Sequence, residues 1–143
     1  MPSVELDRLV SINILSHEAP IRTEFQGLVE DAAATLTDAQ NETLSPESRF
    51  RLAYGAVHSI ALALRWHGYR PRNDRQIVFQ ALAHTLQVPA PVWRMLAQSH
   101  EQRNRREYEG RGEIDERLLA DVIAAGIDLL ARIRGLSLPK EPE

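Results

Sequence analysis

Two stretches of this sequence place phosphate-binding or proton-moving side chains where an amphipathic helix would otherwise carry a plain face. In "RNRREYEGRG", residues 103 to 112, there are four arginines. The apolar stripe Val92, Met95 and Leu96 continues along the same face to Ser99, Arg103 and then Arg106 or Glu107, so one helix turns from apolar to charged partway along. His100 lies three residues before Arg103 and shares its face. A histidine and an arginine so placed suit phosphoryl chemistry: the imidazole moves a proton and the guanidinium stabilises developing negative charge. A second account needs no site. A helix end projecting into water can carry these charges, and the Glu101–Arg105 pair contributes only about 0.2–0.5 kcal/mol. Arg103 and Tyr108 are separated by about 140° on a regular helix. They converge only if the helix ends between them, and "EGRG" directly afterwards supplies an ending.

The second stretch is "WHGYRPRNDRQ", residues 66 to 76. His67, Arg70, Arg72 and Arg75 surround a predicted turn together with Trp66 and Tyr69, a mixture that could hold phosphate and stack a base. A helix starting after Asp74 would add an anion-favouring dipole, which the charge of Asp74 itself opposes. Alternatively, Trp66 and Tyr69 pack the turn onto the core and the arginines are solvated. The five histidines are His17, His58, His67, His84 and His100, and no two are three or four residues apart. The helical metal-ligand pair is therefore missing, and neither a metal nor a cofactor is expected. His58 lies beside a core stripe and reads as a hydrogen-bonded bundle residue. Phosphate-loop, dinucleotide-binding and Gly-x-Ser-x-Gly patterns are absent.

The elements that must position these residues read as helices, with no alternating strand-like run. Ser3 caps a first helix reaching about Leu15. Pro20 suits the first turn of a second, whose stripe is Ile21, Phe25, Leu28, Val29, Ala32 and Leu36. In "LSPESRF" Ser45 caps a third helix with Pro46 as its first residue. Phe50, Ala53, Tyr54, Val57, Ala61 and Leu64 form its core face, and Gly68 stops it. Asn73 or Asp74 caps a fourth helix to about Leu86, which "QVPAP" ends. The fifth runs from about Ala90 to near Tyr108. Asp115 caps the last, with the stripe Leu119, Val122, Ile123, Gly126, Leu130 and Ile133 and a stop at Gly135. The expected fold is all-α, an antiparallel bundle of about five to six helices in one domain over residues 1–143, with 136–143 a frayed tail and the third and last helices at its centre.

Composition narrows the chemistry. At 143 residues and 43% hydrophobic content the chain can bury a sizeable core. Its formal charge of −3 gives no chain-wide attraction to nucleic acid, so such binding would need a local basic patch. There is no cysteine, which rules out disulfides and thiolate catalysis. No signal-peptide pattern and no apolar run of membrane-spanning length is present, and a cytoplasmic protein is expected.

The segment "LAYGAVHSIALALRWHGYRPRNDRQIVFQALAHTL", residues 52 to 86, followed by "RNRREYEGRGEID", 103 to 115, resembles the HEPN superfamily of small helical bundles. It is most similar to a bacterial subgroup with an "HGYRP" turn and an "RNRxEY" segment, over roughly residues 50 to 134. The resemblance implies a homodimer in which the two Arg-Asn segments meet across the interface. Active members cut RNA without metal, using an arginine, the polar residue beside it and a histidine about four to six residues later. Arg103 and Asn104 match the first two positions. Tyr108 stands where the histidine would be, and no histidine follows in the chain. A tyrosine, with an ordinary pKa of about 10, is a poor base for a ribose 2′-hydroxyl.

The implied function is RNA or nucleotide binding with a degenerate catalytic motif at Arg103, Asn104 and Tyr108, aided by Arg106, His100, Arg70 and Arg72. Tyr108 can instead hydrogen-bond phosphate, stack a base or be the modification target of a partner enzyme; some members pair with a minimal nucleotidyltransferase as toxin and antitoxin, which makes such an enzyme a candidate partner here. Two alternatives stand beside this reading. One is a metal-independent endoribonuclease toxin in which Tyr108 or His100 replaces the histidine. The other is a non-catalytic interaction module whose charged segment locks a dimer through salt bridges.

Overall fold

A computed structural model describes residues 4–72, 77–104 and 114–136, apart from the side chains of Ala63 and Asn104. In chain order the elements are α1 (Val4–Ser11), β1 (Leu15–His17), α2 (Arg22–Ala39) and α3 (Pro46–Ala61). A 3₁₀ turn (Leu62–Arg65) and β2 (Tyr69–Pro71) follow, then α4 (Ile77–Thr85), α5 (Ala90–Asn104) and α6 (Glu116–Arg134). The fold is an all-α bundle carrying one small two-stranded sheet. Among the described residues no helix is long and apolar enough to cross a membrane.

Local chemistry sets the two central helices. The Ser45 Oγ accepts from the Ser48 amide at 3.2 Å, and Pro46 occupies the first helical position, where a missing N–H costs nothing. From that start α3 buries Phe50, Ala53, Tyr54, Ala56, Val57, Ile60 and Ala61, and it packs against α2, α4, α5 and α6. Asp115 caps α6 by accepting from the amides of Arg117 at 2.9 Å and Leu118 at 3.2 Å. Ile114 just before this cap and Leu119 both enter the core, the positions of a hydrophobic staple. The buried face of α6 is Leu118, Leu119, Val122, Gly126, Leu129 and Ile133. Ile123 and Leu130, expected on the stripe, are only half-buried because the face is turned toward Leu118 and Leu129. At Gly126 a Cβ would lie 2.9 Å from Leu36 Cδ1 and 3.4 Å from Val57 Cγ1, so the glycine lets α6 approach α2 and α3 closely.

Arginines close two of the other helices. The Arg49 Nε donates to the Ala39 carbonyl at the end of α2, 2.9 Å away. Just beyond α4, the Arg132 guanidinium donates to the carbonyls of Leu86 at 3.0 Å and Gln87 at 3.2 Å. Both satisfy carbonyls that a helix end leaves without intrahelical partners.

The N-terminal third departs from the sequence reading. The first helix ends at Ser11 rather than near Leu15, and Asn13 takes φ 64°, a left-handed conformation that asparagine tolerates. Ser3 lies outside the described residues. Leu15–His17 instead forms β1, antiparallel to β2 in the register Leu15↔Pro71, Ser16↔Arg70, His17↔Tyr69. "GYRPRND" is therefore not a plain turn: Gly68, at φ 91°, turns the chain, and the next three residues are strand. Three-residue strands are too short to leave an alternating pattern. Pro20 precedes α2, whose first residue is Arg22, and Ile21 is an exposed N-cap without a side-chain bond. The residues proposed to cap α4, Asn73 and Asp74, lie outside the described residues.

Replacing Asp115 with alanine should lower stability by about 1 kcal/mol, and Asp115→Asn should restore most of it. Urea unfolding measures both, and an unchanged Asp115→Ala midpoint would remove the cap from the account of α6.

Candidate functional site

The polar end of α5 is built on an otherwise ordinary core helix. Leu96 and Ala97 are buried, and the fully buried Ser99 satisfies its hydroxyl by donating to the Leu96 carbonyl at 2.5 Å. Immediately after it and one turn on, His100 and Arg103 both reach Tyr54 on α3. The Tyr54 hydroxyl and His100 Nδ1 are 2.8 Å apart, a hydrogen bond whose donor depends on the imidazole tautomer. The Arg103 guanidinium carbon lies 5.6 Å from the centre of the same tyrosine ring, within cation–π range. Tyr54 is thus the fixed part to which both α5 side chains are referred.

Two more rings complete the cluster. His58, one turn after Tyr54 on α3, lies 5.9 Å from its ring at an interplanar angle of 28°. Phe79 in the first turn of α4 stands 6.0 Å from Tyr54, 6.0 Å from His58 and 6.5 Å from His100. Tyr54 is 7% exposed, whereas His58, His100 and Arg103 are half-buried. Three helices therefore gather two imidazoles and a phenol around one phenylalanine, with a guanidinium over the phenol ring. Such a group can stack a planar ligand, hold an anion and exchange protons.

The structure divides the residues that the sequence assigned to a site. Arg103 and His100 meet at Tyr54. Asn104 is the last residue of α5, and Arg106 and Tyr108 lie outside the described residues. Arg70 and Arg72 turn to the N-terminal segment instead. The Arg70 guanidinium donates to both carboxylate oxygens of Glu18, at 3.0 and 3.1 Å, and Arg72 donates to Asn13 Oδ1 at 3.3 Å. Tyr69 is buried at 1% exposure and donates to Asp7 Oδ1 at 2.6 Å, so it packs this segment onto the core as the second account of the turn has it, but Arg70 and Arg72 are paired where that account left them solvated.

Sequence reasoning missed Arg65, which is 5% exposed. It donates to Glu24 at 3.0 Å and to Glu18 Oε1 at 3.3 Å, and also to the Glu18 backbone carbonyl at 3.3 Å. The sequence also placed Tyr54 in the core stripe without a role. The available signal was a hydroxyl on an otherwise apolar face, one turn before a histidine.

Among the described residues no group of three or more histidines and carboxylates is arranged to hold a metal ion. Compared with protein-family models, curated proteins and solved structures, the chain matches none.

Two outcomes test this geometry. Tyr54→Phe removes the hydroxyl and keeps the ring, so the His100 ring-nitrogen resonances should shift in ¹⁵N spectra while Arg103 keeps its aromatic partner. Unmoved His100 resonances would show that the bond is not formed in solution. Glu18→Ala should destabilise the protein by about 1–3 kcal/mol, because it strips the buried Arg65 of a charged acceptor. Arg70→Ala, on an exposed pair, should change stability by less than about 1 kcal/mol. Thermal melts of the two variants give the comparison.

Proposed function

We propose that this chain is a HEPN-like helical homodimer that binds RNA or a nucleotide at the polar end of α5, through Arg103 and His100. Asn104, Arg106 and Tyr108 are assigned by resemblance to the same surface. The observation that carries the reading is the convergence of Arg103 and His100 on Tyr54. A planar guanidinium can stack by its face and donate by its edge, which suits phosphate beside a base. A local site of this kind is what a chain of formal charge −3 requires if it is to hold a polyanion. Arg70 and Arg72 are left out of the binding surface, because both are engaged with the N-terminal segment. The toxin–antitoxin setting and a nucleotidyltransferase partner follow from the resemblance alone.

Arg103→Ala should weaken binding of a fluorescent single-stranded RNA, or of AMP, by at least about tenfold, equivalent to about 1.4 kcal/mol, without changing the helical circular dichroism. Fluorescence anisotropy and calorimetry read this directly, and undiminished binding sinks the proposal. Sedimentation of the wild type should give a dimer. If Arg103→Ala instead yields monomer and the wild type binds no RNA or AMP, the charged segment is a dimer lock and the interaction-module reading holds.

A further inference from the structure

Helix α6 carries a second pattern on the side that faces away from the core. Glu116, Ala120, Ile123, Ile127, Leu130 and Arg134 recur at alternating spacings of four and three residues along its whole length. At about 100° per residue they fall within about 60° of one line, which the buried Val122, Gly126, Leu129 and Ile133 do not share. Ile127 is 50% exposed, Ile123 and Leu130 are half-buried, and Ala120 is exposed, as are Ala124 and Ala131 beside the line. Single exposed apolar residues are ordinary on a protein surface. A seven-residue apolar repeat is the pattern by which one helix pairs with another. Charges stand only at the two ends of the line, Glu116 in the first turn and Arg134 in the last. The helix dipole alone favours that placement, so the charges gain meaning only from the repeat between them. Asp128 and Arg132 lie about 100° or more off the line and pair with each other at 2.8 Å.

We propose that this face of α6 docks a second copy of the chain, the two helices lying antiparallel about a two-fold axis midway between Ile123 and Ile127. Reversing one helix about that point sets Ile123 against Ile127 of the partner, Ala120 against Leu130 and Glu116 against Arg134. Each pairing occurs twice, as a symmetric interface requires. A small residue meets a large one in the Ala120–Leu130 layer, which lets the side chains interdigitate, and opposite charges meet at both ends. A parallel pair would oppose Glu116 to Glu116 and Arg134 to Arg134, so the charge pattern selects the antiparallel arrangement. Glu30 of α2 lines the same cleft as Arg134 and is its rival partner within one chain. Nineteen residues at about 1.5 Å each give a seam about 28 Å long. One helix pair is small beside a standard interface of about 1,600 Å², so the dimer should dissociate on dilution. The proposal rests on the homodimer of the proposed function and not on its RNA binding, and it places the contact on α6 instead of the Arg-Asn segment.

The test is sedimentation of the full chain over a dilution series, with binding of a fluorescent single-stranded RNA read on the same samples. The wild type should sediment as a dimer that dissociates on dilution. Ile127→Asp should raise the dimer dissociation constant at least about tenfold and keep the helical circular dichroism, because the side chain is half exposed. Glu116→Arg and Arg134→Glu should each weaken the dimer about threefold or more at low salt. The double variant should recover the wild-type value even though it opposes the helix dipole, and Glu30→Gln should change nothing. The chain has no cysteine, so Ala120→Cys combined with Leu130→Cys gives a second measure should Ile127→Asp melt early. Mild oxidation should link the chains of that double variant and not those of Ala120→Cys alone, whose sulfurs would lie about 15 Å apart. A wild type that is monomeric at every concentration overturns this interface and the homodimer together, while the RNA signal decides the binding reading separately. A dimer untouched by Ile127→Asp but lost in Arg103→Ala overturns the α6 surface and leaves the homodimer standing. Weakening by both single charge variants without recovery in the double overturns the antiparallel register.

Discussion

Helix α3 is packed against α2, α4, α5 and α6, so its side chains must satisfy four neighbours at once. That constraint explains why its buried residues from Phe50 to Ala61 spread over more than one stripe, and why small ones, Ala53, Ala56 and Ala61, let neighbouring backbones come close. It also fixes where a polar group on α3 can go. Tyr54 resolves the conflict by burying its ring among Phe79, His58 and His100 while its hydroxyl finds His100 Nδ1. A buried phenol is stable when its oxygen is bonded, and here the bond runs to a half-buried side chain of another helix. The candidate site is thus a consequence of how the centre of the bundle closes at one end.

The second polar network has a different character. Arg65, Glu18, Glu24 and Arg70 tie the 3₁₀ turn and β2 to the start of α2, while Tyr69 and Asp7 tie the same strand to α1. Arg65 is almost fully buried, yet its carboxylate partners remain partly in water. Such a network orients elements more than it stabilises them, because the desolvation of the guanidinium offsets much of the attraction. Charges that looked available for a ligand in "HGYRPR" are in this way spent on holding the N-terminal segment.

The helices were legible where local chemistry announces them. Ser45-Pro46 and Asp115 are starts written in side chains that accept backbone amides, and the structure uses both as caps. The six buried positions named for α3 and its extension, Phe50 through Leu64, all lie in the core. What could not be read was decided by distant partners. The β1–β2 pairing joins residues far apart in sequence through strands too short to alternate, and Arg65 gives no local sign of burial. At the candidate site the charged turn of α5 and the suspicion attached to His100 came from sequence. Tyr54 as its anchor did not, because a tyrosine on an apolar stripe looks like any other core ring until its hydroxyl is seen to have a partner.

The β-ladder bears on the order in which the chain can assemble. Leu15 pairs with Pro71, and the loop between them contains the whole of α2 and α3. Closing a loop of that length costs more entropy than three residue pairs recover, whereas α2 and α3 meet across a short connection. The contacts between α2 and α3 are thus expected to form before the ladder, whose closure seats Leu6 and Leu15 in the core and brings Glu18 to the Arg65 guanidinium.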